Sequence, residues 1–94
     1  MPFPSQTPKA FTRANVENLS PGQKGCYGLS RTDTWIYIGK GDIRDRLLAH
    51  LNGDNPCIAR YAPSHFVTMV TDDMDSEEKS LILELGPACN QKVG

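Results

Sequence analysis

The chain has 94 residues and a mass of 10.4 kDa, room for one small domain, because domains run about 50–250 residues. A hydrophobic content of 38%, with 22% charged and 7% aromatic residues, excludes a disordered chain and a fibrous repeat. Ten Lys and Arg against eleven Asp and Glu leave a formal net charge of -1, which by itself points away from nucleic acid. The distribution shows that the total decides nothing about nucleic acid. Asp72, Asp73, Asp75, Glu77 and Glu78 crowd into one short stretch, and without them ten basic side chains face six acidic ones, a remainder of +4 that can meet an anion.

In chain order, MPFPSQTP carries three of the seven prolines and reads as a disordered or extended arm over residues 1–8, ahead of a single domain over 9–94. It has no basic stretch followed by an apolar core, so it does not read as a secretory signal, and no apolar run approaches a membrane span of roughly 20 residues. KAFTRANVENL places Phe11, Val16 and Leu19 at loosely helical spacing before Ser20-Pro21-Gly22. Two β-rich stretches, Gly25 to Leu29 and Thr34 to Gly39, flank the turn-forming Ser30-Arg31-Thr32-Asp33 and predict a hairpin. Strict alternation would put Trp35 and Tyr37 on one face and Ile36 and Ile38 on the other.

Asp42 is a good N-cap for a helix to Leu51, with Ile43, Leu47, Leu48 and Leu51 as its buried stripe. Arg46 and His50, four apart, share one side of it, and Asn52-Gly53 ends it. Residues 54–64 read as a loop with one helical turn at Cys57 to Tyr61. His65 to Thr71 alternates as a third strand, and Asp75 opens a second helix to Leu85, with Leu81, Ile82 and Leu85 facing the sheet and Gly86-Pro87 as its stop. The fold class expected is a small α/β (α+β) sandwich with a mainly antiparallel three-stranded sheet flanked by helices. Cys26, Cys57 and Cys89 form no CxxC pair, and neither His50 nor His65 stands at zinc-finger spacing from them, so reduced thiols and a cytoplasmic location are the simplest expectation.

The polar groups best placed for chemistry are Tyr27, Tyr37, Arg46, Glu78 and Asn90. Each has an ordinary explanation: strand tyrosines with surface hydroxyls, an Arg46–Asp42 pair along the helix, a capping box from Asp75 to Glu78, a turn asparagine. Taken together they form a pattern. Gly25-Cys26-Tyr27 and Tyr37-Ile38-Gly39 place two tyrosines ten residues apart; IRDRLLAH supplies Arg46 with His50 one turn on; Glu78 opens a helix that runs to Pro87-Ala88-Cys89-Asn90.

On these residues the chain resembles the GIY-YIG nuclease family over roughly residues 25–90, with Cys26 in place of the usual Ile or Val of the first motif. The resemblance implies a GIY-YIG-like domain and a divalent-metal-dependent endonuclease that hydrolyses phosphodiester bonds of DNA, or of RNA. It implies Glu78 as the ligand of Mg2+ or Mn2+, Arg46 as a forked donor to the phosphate, and Tyr27 as general base. A phenol with a free pKa of about 10 is a poor base at neutrality, so neighbouring cations would have to favour its phenolate. Tyr37 would orient the water or phosphate, His50 would share the proton traffic, and Asn90 would position the last segment or a metal-bound water. Gly39 and Lys40 are candidate phosphate contacts. Arg60, beside Tyr61, suits a strand backbone and an unstacked base.

Other motif readings fail on spacing: Gly39-Lys40-Gly41 lacks the earlier glycine and the Ser or Thr of a P-loop, and the acidic stretch lacks the EF-hand glycine. The competing class is a GIY-YIG-like nucleic-acid-binding or protein-interaction module without turnover. With so little excess charge, a lone domain should bind a duplex weakly, so either a nick-type or low-specificity activity is expected, or help from a homodimer or a separate DNA-binding partner.

Overall fold

The computed structural model describes residues 3–90; the first two residues of the expected arm and the last four of the expected domain lie outside the described residues. The elements run β1 (Lys9–Ala10), α1 (Arg13–Glu17), β2 (Lys24–Arg31), β3 (Thr34–Asp42), α2 (Ile43–Leu51), α3 (Pro56–Tyr61), β4 (His65–Val70) and α4 (Met74–Leu85). The strands form one antiparallel sheet in the order β1-β4-β2-β3, with helices on both faces. It is therefore four-stranded, not three-stranded. The extra strand is only two residues long and pairs Lys9 with Phe66 and Ala10 with His65, too short for any periodicity to reveal.

β2 and β3 form the hairpin, extended at both ends beyond the apolar residues because main-chain pairing continues from Arg31–Thr34 to Lys24–Asp42. Strict alternation fails in β3. Leu29 faces Tyr37 and Ser30 faces Trp35, which leaves Ile36 as an extra residue, a β-bulge. The bulge puts Ile36 and Tyr37 on one face and Trp35 and Ile38 on the other, correcting the pairing expected from period two.

The first face carries Tyr27, Leu29, Ile36 and Phe66, packed under Val16 of α1, Ile43 and Leu47 of α2 and Ile58 of α3. The second carries Cys26, Ile38 and Val67 under Leu81 of α4. Each large apolar side chain fully withdrawn from water contributes about 1.5–3 kcal/mol, so both layers are needed to hold a sheet this small. The N-terminal segment completes the second face: Phe3 is buried and stacks on Trp35 with ring centroids 5.5 Å apart, and the Gln6 side chain pairs with both backbone groups of Thr68. Phe3 and Gln6 thus dock this segment against the sheet.

α2 matches its expected bounds, and the Asp42 side chain accepts from the Asp45 N–H as a cap. α1 is shorter than the apolar spacing suggests, since Lys9 and Ala10 enter the sheet and Thr12 caps the helix. α3 is a full six-residue helix because Asn55 caps it and Pro56 occupies its first position. α4 begins at Met74 after Asp73, which makes no side-chain cap, so Glu78 has no capping-box role.

The C-terminal segment lies along the outer edge of β3. Ala88 N–H donates to Trp35 O and Cys89 N–H to Ile36 O. A disulfide joins Cys89 to Cys57 on α3, so the expectation of three reduced thiols does not hold. The two cysteines are 32 residues apart, and only the return of the chain past α4 brings them together. Cys26 alone is a free thiol, buried between β2 and α4 with its Sγ 3.4 Å from Met74 O. Among the described residues, no helix is long and apolar enough to cross a membrane.

Candidate active site

Tyr27 comes from the middle of the sheet, where its ring lies over Gly39, its cross-strand partner. Tyr37 is its diagonal neighbour on β3, with ring centroids 6.2 Å apart. α2 sets His50 against both rings, 5.5 Å from that of Tyr27 and 5.2 Å from that of Tyr37. The Tyr27 hydroxyl and His50 Nε2 are 2.7 Å apart, and His50 Nδ1 stands 2.8 Å from Asp54 Oδ1. A carboxylate oxygen accepts, so this contact favours a proton on Nδ1, and in a neutral ring Nε2 is then the acceptor that faces the phenol. The other Asp54 oxygen faces the Arg46 guanidinium at 4.0 Å. Arg46 thus pairs with Asp54 and not with Asp42.

Burial rises steeply along this chain of groups. Tyr27 is fully enclosed and His50 nearly so, while the Asp54 and Arg46 side chains are 37% and 45% exposed. Burial pushes the Tyr27 phenol well above its ordinary range, Tyr37 adds to the shift, and the Arg46 guanidinium opposes it. Desolvation thus outweighs the one guanidinium, and the shift runs against the phenolate. Burial lowers the His50 pKa, while the Asp54 hydrogen bond works against that fall. Burial raises the Tyr37 pKa, with Arg46 opposing and Glu78 and Asp54 reinforcing.

Glu78 approaches from the opposite sheet face and is half-buried. Lys40 Nζ is 3.6 Å from Glu78 Oε1 and makes a closer ion pair with Asp75. Beside Glu78 and Asn90 lies a cleft of about 270 Å³, lined also by Lys79, Ile82 and Leu83. Asn90 brackets Ile38: the Ile38 N–H donates to Asn90 Oδ1 at 2.6 Å and Asn90 Nδ2 donates to Ile38 O at 2.8 Å. Both ends of the amide are spent on the backbone, which favours the positioning role over contact with a bound water.

The fold thus brings Tyr27, Tyr37, Arg46 and His50 together, joins Lys40 to Glu78 of α4, which packs on the other face of the sheet, and uses Gly39 as space for the Tyr27 ring. Arg60 is exposed on α3, in the helix that the disulfide ties to the C-terminal segment. Asp54 is the member that sequence reasoning missed. The available signal was its i,i+4 spacing from His50, hidden because Asn52-Gly53 marks the helix end between them.

Among the described residues, no group of three or more His, Cys, Asp or Glu side chains is placed to hold a metal ion. The donor set at Glu78 is a single carboxylate with open space beside it. One of its oxygens already faces the Lys40 ammonium at 3.6 Å. The chain matches no protein-family model, and no curated protein is significantly similar to it.

Proposed function

We propose that this chain is an endonuclease of GIY-YIG type that hydrolyses phosphodiester bonds, with DNA favoured over RNA. The observation that carries the reading is the hydrogen-bonded line Tyr27–His50–Asp54 with Arg46 against its outer end. Single tyrosines and histidines are ordinary core residues; a buried phenol that donates to a carboxylate-oriented imidazole, beside a permanent cation, is an arrangement suited to moving a proton next to an anion.

In this reading a non-bridging phosphate oxygen engages the Arg46 fork and draws the guanidinium off the Asp54 carboxylate. Water attacks phosphorus and its proton passes to the Tyr27 oxygen, while the phenol proton passes to His50 Nε2. The P–O3′ bond breaks and the leaving oxygen takes a proton from solvent. Tyr37 orients the phosphate between Arg46 and Glu78, and Lys40 adds a cation at the rim. Glu78 would hold Mg2+ or Mn2+, which supplies charge neutralisation at the phosphate. Asn90 positions the C-terminal segment on β3.

The full burial of Tyr27 favours a second reading, a GIY-YIG-like module that binds nucleic acid or protein without turnover. Mild basicity leaves room for a homodimer or a separate partner to supply DNA contacts. A disulfide persists most readily in an oxidising compartment, so a cytoplasmic placement requires protection of Cys57–Cys89. The test is incubation with supercoiled plasmid and with single-stranded RNA, under Mg2+, Mn2+ or chelator, beside Glu78→Ala and Tyr27→Phe. Metal-dependent cleavage lost in both variants supports the nuclease. Binding without cleavage under every condition selects the second reading.

A further inference from the structure

Asp54 follows the end of α2 and reaches back over its last turn. Its two oxygens have different neighbours: Oδ1 takes the hydrogen bond of His50 Nδ1 at 2.8 Å, and Oδ2 faces Arg46 at 4.0 Å. On its other side His50 meets the buried Tyr27 hydroxyl at 2.7 Å. A neutral imidazole offers one donor and one acceptor, so whichever group claims Nδ1 decides what Nε2 can do. If Nδ1 lacks the proton, Nε2 carries it and can only donate towards the phenol, which then has nowhere to send its own proton.

We propose that Asp54 is a positioning residue of the site: it fixes the Nδ1–H tautomer of His50, so that Nε2 can receive the Tyr27 proton, and the same carboxylate parks Arg46 over that relay until a phosphate claims the guanidinium. This rests on the nuclease reading for its consequence and on local geometry for its substance. The proton balance is explicit. One proton moves from water to the Tyr27 oxygen and one from that oxygen to His50 Nε2, leaving an imidazolium beside the Asp54 carboxylate. After product leaves, the imidazolium returns its proton through Tyr27 to solvent. As in other carboxylate–histidine arrangements, the carboxylate need not itself become protonated.

Two measurements on the whole chain decide it. In the first, 15N-edited NMR at pH 8 reads the His50 tautomer in the parent protein, in Asp54→Asn, in Asp54→Ala and in Asp54→Glu. The parent is expected to be predominantly Nδ1–H, Asp54→Ala to move to the Nε2–H form that free imidazole prefers, and Asp54→Glu to retain much of the parent signature. Asp54 is partly exposed at the end of a helix, and dispersion of the amide spectrum confirms that each variant is folded. A His50 that keeps Nδ1–H in both Asp54→Asn and Asp54→Ala overturns the proposal. In the second, cleavage by Asp54→Asn is expected to fall by about 10²- to 10⁴-fold in kcat, with a much smaller change in KM. Parent-like kcat overturns the relay role. A parent protein that cleaves nothing sinks the nuclease reading, and the tautomer measurement still decides what Asp54 does to His50.

Discussion

Gly39 lies directly beneath the ring of Tyr27, so close that a Cβ there would fall within the van der Waals radii of the hydroxyl oxygen and Cζ. The two residues are cross-strand partners, and the missing side chain on β3 is what lets the phenol of β2 lie flat and reach His50. The absence of a side chain at Gly39 therefore shapes the site by making room for the Tyr27 ring.

Gly39→Ala should consequently cost about 1–3 kcal/mol of stability, the usual range for overpacking, because neither β3 nor the enclosed ring can give way freely. Denaturant unfolding measures it. The same variant should displace the hydroxyl from His50 and, on the proposed nuclease reading, abolish cleavage even in protein that is still folded. A Gly39→Ala protein as stable and active as the parent would disprove the packing role.

Tyr27→Phe keeps the ring and leaves His50 Nε2 buried without its donor, so a loss of about 1–3 kcal/mol is expected. His50→Leu removes the other half of the pair and leaves the phenol unsatisfied. Because each single variant strands a buried polar atom and the double variant strands neither, the double should be less damaged than the sum of the singles. Additive losses in urea unfolding would mean that the 2.7 Å contact is not a coupled hydrogen bond.

The order of β2, β3, α2, β4 and α4 was legible because their apolar residues keep period two or 3.6 and because Asp42, Asn52-Gly53 and Gly86 are caps of known chemistry. Tyr27, Tyr37, Arg46 and His50 converge as their placement on two strands and the next helix implied. What escaped was set by tertiary geometry. The bulge at Ile36 leaves no compositional mark, yet it reassigns Trp35 and Ile36 to opposite faces. Asp54 sits past a helix stop, and β1 is stabilised by its pairing with β4 and not by its own two residues. A role for Asn90 in positioning the last segment was expected, but not its partner, the Ile38 backbone at the edge of β3.

The Cys57–Cys89 bond closes a loop of 32 residues, which on chain-entropy grounds stabilises the fold by about 3–4 kcal/mol. Cys57→Ser with Cys89→Ser should lower the urea midpoint accordingly and speed amide exchange at Ile38, whose N–H depends on Asn90 staying docked. Thiol labelling gives an independent check. Cys26 is buried, its pKa pushed up to about 11 by burial and then by Glu78 and Glu77, so native protein should label slowly. Denatured, unreduced protein should label at one thiol, and reduced denatured protein at three. Three reactive thiols without reductant would refute the disulfide.

His50 should make stability fall on the acid side of neutrality. Its folded pKa lies below the ordinary 6.5, chiefly because burial disfavours the imidazolium. At pH values above 6.5 neither the folded nor the unfolded chain protonates this group appreciably, so its contribution there is complete. As pH drops below 6.5 the unfolded state takes up the proton first, and the native state loses stability until the lower folded pKa is passed. Asp54 limits the size of the loss, because its carboxylate accepts from Nδ1 and partly supports the charged ring. Urea unfolding between pH 8 and pH 5, compared with the His50→Leu variant, isolates this component. The parent should lose more stability than the variant over that interval; parallel pH curves would mean that His50 is protonated as readily in the fold as in the open chain.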